Sequence, residues 1–319
     1  MFDKFDCVVM LTMSNWHTEP RSNRFHYASR FSKVLPTFFV QFDNDNDEIT
    51  IEKTEYANLS IVHVPKKLCE YTNYKGMVEG SEYDDSKLYE LERIIKKIGG
   101  KRWLIWNYNP YVSKLLSSWD MHFRVHHATE IYLVREPLFS HTNFEEDYLR
   151  MSMHLRKTFQ YIDLVIPVSS GVIETINSFF DYKGEVLPLF NGCDDKFWIN
   201  PKIYQKTSAT TSIKNKNKKN SLSNRKQKTI FYQGAINDRL DYILLNYVAS
   251  ELPNWRFVFC GQKNGIEQNI EANNFFSKPN VEYLGNLAPE KIRKEAGDSD
   301  VAIIPFRDAY ILRKSLPLK

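Results

Sequence analysis

The chain reads as two α/β domains of the doubly wound type in tandem, and three observations predict this. Its 319 residues exceed what one hydrophobic core usually organises. Short apolar strand-like runs alternate with amphipathic helical stretches, the pattern of parallel sheets covered by helices on both faces. A polar, cation-rich stretch then interrupts the alternation, which restarts beyond it.

In the first half, Phe5 to Leu11 reads as a buried strand, and Phe25 to Leu35 as a helix. Strands follow at Thr37 to Phe42 and Ser60 to Val64. Asp84 to Ile98 is an amphipathic helix with Leu88, Leu91, Ile94, Ile95 and Ile98 on one side. Trp103 to Trp106 is a strand, Asn107-Tyr108-Asn109-Pro110 a turn, Val112 to Ser117 a helical pattern and Glu130 to Val134 another strand. Helix Phe144 to Gln160, strand Leu164 to Pro167, helix Gly171 to Phe179 and strand Val186 to Leu189 complete this half. The second half opens with strand Thr229 to Tyr232, a turn over Gln233 to Asp238 and helix Arg239 to Leu252. Strand Arg256 to Cys260, strand Val281 to Leu284, helix Pro289 to Ala296 and strand Val301 to Pro305 follow. Only about four strands fit into Thr229 to Lys319, against the five or six of a full doubly wound sheet, so the second domain is expected to be incomplete. The expected division is a domain over 1–199, a flexible linker over 200–228 and a second domain over 229–319.

Charge follows the same division. The formal net charge is +4, but nine Lys and Arg residues and no acidic residue lie between Lys202 and Lys228, which leaves the remainder net acidic. The basic character belongs to this polar, aperiodic tether, which is a solvated linker on composition and a candidate for anionic lipid headgroups as the alternative. With only Tyr204 as an aromatic among those cations, and no aromatic interleaving, a nucleic-acid partner is not expected. A 42% hydrophobic and 14% aromatic composition excludes a disordered chain. The four cysteines, Cys7, Cys69, Cys193 and Cys260, are widely spaced, which suits reduced thiols better than a disulfide framework or a thiolate metal site. The longest apolar run near the start, Cys7 to Leu11, is too short for a signal-peptide core, and no stretch approaches the ~18 apolar residues of a membrane span. A cytoplasmic protein is expected, with peripheral contact to the inner face of a membrane as the further option.

Three blocks carry a family resemblance. The first is Tyr232-Gln-Gly234-Ala-Ile-Asn-Asp-Arg239-Leu-Asp241 with Leu252-Pro253-Asn254-Trp255 and Cys260-Gly261-Gln262. The second comprises Asn280-Val-Glu-Tyr-Leu-Gly285, Asp300-Val-Ala-Ile-Ile-Pro305-Phe306 and Ser315-Leu-Pro317-Leu-Lys319. The third is Ile162-Asp163-Leu-Val-Ile-Pro-Val-Ser169-Ser170 with Leu189-Phe190-Asn191-Gly192-Cys193-Asp194. Taken in order they resemble GT-B glycosyltransferases, in particular family 4 and related bacterial polysaccharide enzymes. That resemblance implies two Rossmann-like domains facing across a cleft. It also implies a sugar transferred from a nucleotide-diphosphate donor, UDP- or GDP-linked, to a saccharide or lipid-linked acceptor, without metal or other cofactor. The chain's early stop leaves a non-catalytic, truncated relative that binds glycan or a partner subunit as the rival reading.

Developing charge on a departing diphosphate needs cations or backbone N–H groups. Gly234, between a strand and a helix, is placed for such a cradle, and Arg239 would add a planar cation. The alternative is an ordinary turn glycine and a surface arginine. By resemblance, Pro317, Leu318 and Lys319 are donor contacts. The segment Thr12 to His26 lies where acceptor loops of these enzymes lie. There Trp16 could stack on a sugar and Arg21 or Arg24 could meet a phosphate, or the segment is simply a polar surface loop. Glu136 and His141 follow an expected strand end, where doubly wound folds place their sites, and either could take the acceptor's proton. A salt-bridged loop explains them equally well. Retaining family 4 enzymes carry two glutamates eight residues apart in the last loop. Here Arg313-Lys314 stands where the first would fall, so retaining and inverting routes both stay open.

Other motifs fail. Asp43-Asn44-Asp45-Asn46-Asp47-Glu48 opens like a calcium loop but has Glu48 at the sixth position and Thr54 at the twelfth. His122, His126 and His127 could present imidazoles four apart on a helix but have no third ligand pattern, so no metal site is expected. No phosphate-binding P-loop, zinc-protease or serine-hydrolase motif occurs.

Overall fold

The computed structural model describes residues 2–18, 22–45, 47–69, 71–72, 78–79, 85–129, 144–180, 182–192 and 227–308. They fall into two compact units, one up to Asn191 and one from Gly192 on. No helix among them is long and apolar enough to cross a membrane.

The first unit is built on β1 (Cys7–Thr12), every residue of which is buried. Its side chains serve two cores. Cys7, Val9 and Leu11 pack on one face of the sheet and Val8 and Met10 on the other, as the two-sided burial of a central parallel strand requires. After α1 (Asn23–Phe31) come β2 (Thr37–Asn44), β3 (Thr50–Lys53) and β4 (Leu59–Pro65), then a small ribbon of β5 (Tyr71–Thr72) and β6 (Val78–Glu79). Helix α2 (Asp85–Gly99) leads to β7 (Trp103–Asn107), α3 (Ser113–Ser118) and β8 (Phe123–Ala128). Helix α4 (Phe144–Phe159), β9 (Leu164–Pro167), α5 (Ser170–Thr175) and β10 (Glu185–Val186) close the unit. The eight-stranded sheet has the order β10-β9-β8-β7-β1-β2-β4-β3. All its pairs are parallel except β3 on β4, which runs antiparallel at the edge with Thr50 opposite His63 and Glu52 opposite Ile61.

The second unit carries β11 (Thr229–Gln233), α6 (Tyr242–Glu251), β12 (Arg256–Cys260), α7 (Ile270–Phe276), β13 (Val281–Tyr283), α8 (Pro289–Asp298) and β14 (Val301–Ala302). Its four strands are parallel in the order β13-β12-β11-β14. The doubly wound expectation therefore holds in both units.

Several expected elements differ. The expected Glu130 to Val134 strand lies outside the described residues, while β8 forms just upstream from Phe123-Arg-Val-His-His-Ala. His126 and His127 thus stand on a strand, not on a helix. Edge strand β3 and helix α7 were not anticipated. The helix expected over Gly171 to Phe179 becomes α5 followed by one π-helical turn, Ile176–Phe180. The helix expected from Arg239 begins at Tyr242, because Arg239 to Asp241 pair with the chain after β14. There Leu240 bridges Phe306, Asp241 N–H donates to the Pro305 carbonyl at 2.9 Å and Arg307 N–H to the Arg239 carbonyl at 2.8 Å.

Candidate functional site

In an open doubly wound sheet the ligand crevice lies at the carboxyl ends of the strands, where the strand order reverses. In the second unit that reversal is at β11, flanked by β12 and β14, and the residue following β11 is Gly234. Its φ is +138°, a conformation that favours glycine. Gly261, after β12, has φ +139°, and a Cβ there would lie 1.9 Å from the Gly234 carbonyl oxygen. The two loops are packed backbone on backbone, and Tyr232 Oη donates to the Ala235 carbonyl at 2.9 Å to close the turn.

The amides of this turn are not as bare as the sequence suggests. Gly234 N–H donates to the Cys260 carbonyl at 3.0 Å and Ile236 N–H to that of Gln262 at 2.9 Å. Arg239 N–H donates to Asn237 Oδ1 at 3.1 Å. The start of α6 is capped by Asp241, whose carboxylate accepts from Leu244 N–H at 2.9 Å. An acidic cap disfavours an anion at that helix terminus. What the turn offers is a side chain: the β14 pairing carries Arg239 to the switch point, and its Nε is buried without a hydrogen-bond partner. Gln233 Oε1, at the end of β11, is likewise buried and unpartnered. Arg307, which the sequence did not single out, joins Arg239 through the main-chain bond after β14.

In the first unit the order reverses at β1, between β2 and β7. The loop after β1 and the turn after β7 therefore flank its crevice, and Tyr108 N–H ties them by donating to the Leu11 carbonyl at 2.8 Å. Arg24, in the first turn of α1, reaches this end with its guanidinium 5.8 Å from the Tyr108 ring centroid. His127, near the end of β8, packs against Tyr27 at 5.0 Å, Tyr108 at 4.9 Å and Trp106 at 5.6 Å. Both ring nitrogens of His127 and Nε1 of Trp106 are buried without hydrogen-bond partners. Burial holds His127 neutral, with its pKa lowered to about 3. The sequence raised it only within the histidine cluster set aside as a metal site, because a buried neutral histidine and an exposed charged one share a letter.

Trp16 corrects an expectation. It is 7% exposed, stacked on Phe25 at 5.2 Å and edge-on to Phe39 at 5.3 Å, so its indole anchors the loop after β1 and has almost no surface for a sugar. The histidine triplet is corrected as well. Adjacent residues on a strand face opposite ways: His126 meets Phe159 at 5.3 Å on one face and His127 meets Tyr27 on the other, while His122 stacks on Trp103 at 4.3 Å. No group of three or more His, Cys, Asp or Glu among the described residues could hold a metal ion. Of the remaining sequence candidates, Arg21, Glu136, His141, Pro317, Leu318 and Lys319 lie outside the described residues.

Comparison with solved structures decides the fold. WaaG, a glycosyltransferase involved in lipopolysaccharide biosynthesis, matches over 96% of this chain and 77% of its own with a TM-score of 0.56 at 12% identity. The fold is GT-B. Anabaena HepE, solved in complex with UDP and glucose, matches over 93% of this chain and 73% of its own, with a TM-score of 0.52 at 13% identity. The catalytic domain of starch synthase IV from Arabidopsis thaliana, bound to ADP and acarbose, matches over 94% and 78%, with a TM-score of 0.53 at 10% identity. No family model matches the chain, and no curated protein matches it in sequence. The GT-B assignment thus rests on shape, and each switch point described above belongs to one GT-B lobe.

Proposed function

We propose that this chain is a glycosyltransferase that moves a sugar from a nucleoside-diphosphate sugar to a saccharide or lipid-linked saccharide acceptor. The observation that carries this reading is the pair of buried, unpartnered polar atoms at the switch point of the second unit, Arg239 Nε and Gln233 Oε1. Leaving such groups unsatisfied costs roughly 1–3 kcal/mol each, so they are poised for a ligand that brings both an acceptor and a donor. A diphosphate oxygen answers Arg239 and a hydroxyl or amide of the nucleotide sugar answers Gln233. Gly234 supplies close approach for want of a side chain. The GT-B relatives support the same class, since HepE was solved with UDP and glucose and starch synthase IV with ADP.

In the reaction the anomeric carbon loses its bond to the diphosphate oxygen and gains one to the acceptor oxygen, whose proton passes to a base. The guanidinium of Arg239 stabilises the charge growing on the leaving diphosphate. Arg24 is the acceptor-side cation, Glu136 or His141 the proton acceptor, and Pro317, Leu318 and Lys319 further donor contacts, with Arg21 beside the acceptor. No metal is needed in this scheme. A role in polysaccharide synthesis in the cytoplasm, with the basic 200–228 segment touching an anionic membrane surface, completes the reading.

Calorimetric titration with UDP-, ADP-, GDP- and CMP-sugars tests it. One nucleotide is expected to bind, and Arg239→Ala to weaken that binding at least about tenfold while leaving the melting temperature unchanged. Binding of none by the folded protein overturns the proposal.

A further inference from the structure

The loop after β12, residues 261–265, is fastened at two levels. Its main chain pairs with the Gly234 turn: Ile236 N–H donates to the Gln262 carbonyl at 2.9 Å and Asn264 N–H to the Ile236 carbonyl at 3.0 Å, which makes Ile236 and Lys263 a parallel bridge. Gly261 N–H donates in turn to the Gly285 carbonyl at 2.8 Å. The side-chain fastening is Lys263. Its ammonium lies 4.0 Å from the ring centroid of Phe276, at the end of α7, and 4.3 Å from that of Tyr283, at the end of β13. The two rings stand 5.7 Å apart at 64°, so they wall the ammonium on two sides. Tyr283 Oη also donates to the Gly261 carbonyl at 2.9 Å.

An ammonium is attracted to the electron-rich face of an aromatic ring, and the attraction grows as water is removed. Partial burial takes the Lys263 ammonium out of water and lowers its pKa, and the two ring faces offset that cost. A neutral side chain at this position would lack the pull, and a lysine stretched into water would give the loop no anchor. The clasp reaches the switch point of the second unit by two routes. One is the main-chain pairing at Ile236. The other is Phe276, whose ring meets that of Tyr242 at 6.4 Å. Tyr242 Oη donates to the Asn237 carbonyl at 3.2 Å, and Asn237 Oδ1 accepts from Arg239 N–H at 3.1 Å.

We propose that Lys263 is a positioning residue: held between Phe276 and Tyr283, it presses the loop 261–265 onto the Gly234 turn and thereby fixes Gly234 and Arg239 at the switch point. Its ammonium needs no contact with a ligand to do so. The fastening concerns only the second unit's own contacts, whereas its effect on nucleotide affinity rests on the glycosyl-transfer reading.

Hydrogen exchange followed by mass spectrometry on the whole chain without ligand tests the fastening, comparing the native protein with Lys263→Gln and Lys263→Arg. Glutamine keeps most of the stem and removes the charge, whereas the guanidinium of arginine also stacks on aromatic faces. Exchange over 234–238 and 261–265 is expected to rise about fivefold in Lys263→Gln and to return to the native rate in Lys263→Arg, with peptides from β1 unchanged. Equal exchange in Lys263→Gln and the native chain overturns the proposal, as does a rise that Lys263→Arg fails to reverse. Calorimetry with the nucleotide sugar that the native chain binds tests the consequence. Lys263→Gln should weaken binding about fivefold and Lys263→Arg restore it; unchanged affinity in Lys263→Gln overturns the positioning role. If the native chain binds no nucleotide, the glycosyl-transfer reading fails while the exchange measurement still judges Lys263. Proton NMR of the native chain keeps the test decisive if Lys263→Gln misfolds. Ring currents of Phe276 and Tyr283 should shift the Lys263 ε-methylene upfield of the other lysines, with the signal assigned by its loss in Lys263→Arg, and an unshifted ε-methylene overturns the clasp.

Discussion

Gly261 separates two kinds of glycine requirement. Gly261 and Gly265 both have positive φ, +139° and +68°. A Cβ on Gly261 would collide with the Gly234 carbonyl, whereas nothing lies within 4 Å of one on Gly265. Gly265→Ala should therefore cost only the conformational strain, about 1–2 kcal/mol. Gly261→Ala should cost clearly more, because backbone cannot move aside as a side-chain tip can, and it should also displace the Gly234 turn. Denaturant unfolding of the two variants measures the difference, and equal losses would show that the close approach carries no weight. The sequence marked Gly234 and Arg239 because a glycine after a strand and a nearby arginine are visible as letters. It could not show that the Gly234 amide is committed to Cys260, since that depends on where β12 lies. Trp16 was misjudged for the same kind of reason: an indole in a polar segment reads as exposed until Phe25 and Phe39 are seen against it.

At the scale of the element, β8 shows how far periodicity reaches. Continuous apolar runs such as Cys7 to Leu11 and Leu164 to Pro167 were legible, because central parallel strands bury both faces and need no polar alternation. Phe123 to Ala128, with two histidines and an arginine, escaped recognition, yet His126 and His127 are buried and their pKa values are lowered to about 3 by loss of solvation. This sets an acid limit on the fold. Below the ordinary imidazole range the unfolded chain takes up protons that the folded chain refuses, so stability is fully present above pH ~6.5 and falls as pH drops toward 3. Each histidine contributes a slope of roughly 1 kcal/mol per pH unit in that window. Replacing His127 by Phe keeps the ring packing and removes one titration, so thermal melts of His127→Phe between about pH 6.5 and pH 4 should fall less steeply than those of the native chain. An unchanged slope would mean that His127 does not titrate with unfolding. The start of α6 teaches a similar lesson: Arg239 to Asp241 have helical letters, but pairing with Pro305 to Arg307 claims them and Asp241 becomes the cap.

At the scale of the whole molecule, the repeated strand–helix alternation with a basic interruption foretold two units, and the contacts divide the described residues into two. The composition between Lys202 and Lys228, nine cations without an acidic partner and few apolar groups, predicts the place where the chain is most readily cut. Limited digestion of the native protein with trypsin should give two resistant fragments split within that segment, identified by mass spectrometry. First cleavage inside either unit would contradict the assignment of 200–228 as linker.

The amino-acid order by itself determined the class of fold and the number of units, because burial on both faces of a parallel strand writes itself as uninterrupted apolar letters. It also located the glycine turn after β11. Only the tertiary structure decided which polar groups are spoken for. Whether Gly234 N–H is bare, whether Trp16 faces water and whether His127 is charged all depend on partners supplied by other strands and helices. Hydrogen bonding and desolvation act across space, and neither leaves a trace in local sequence.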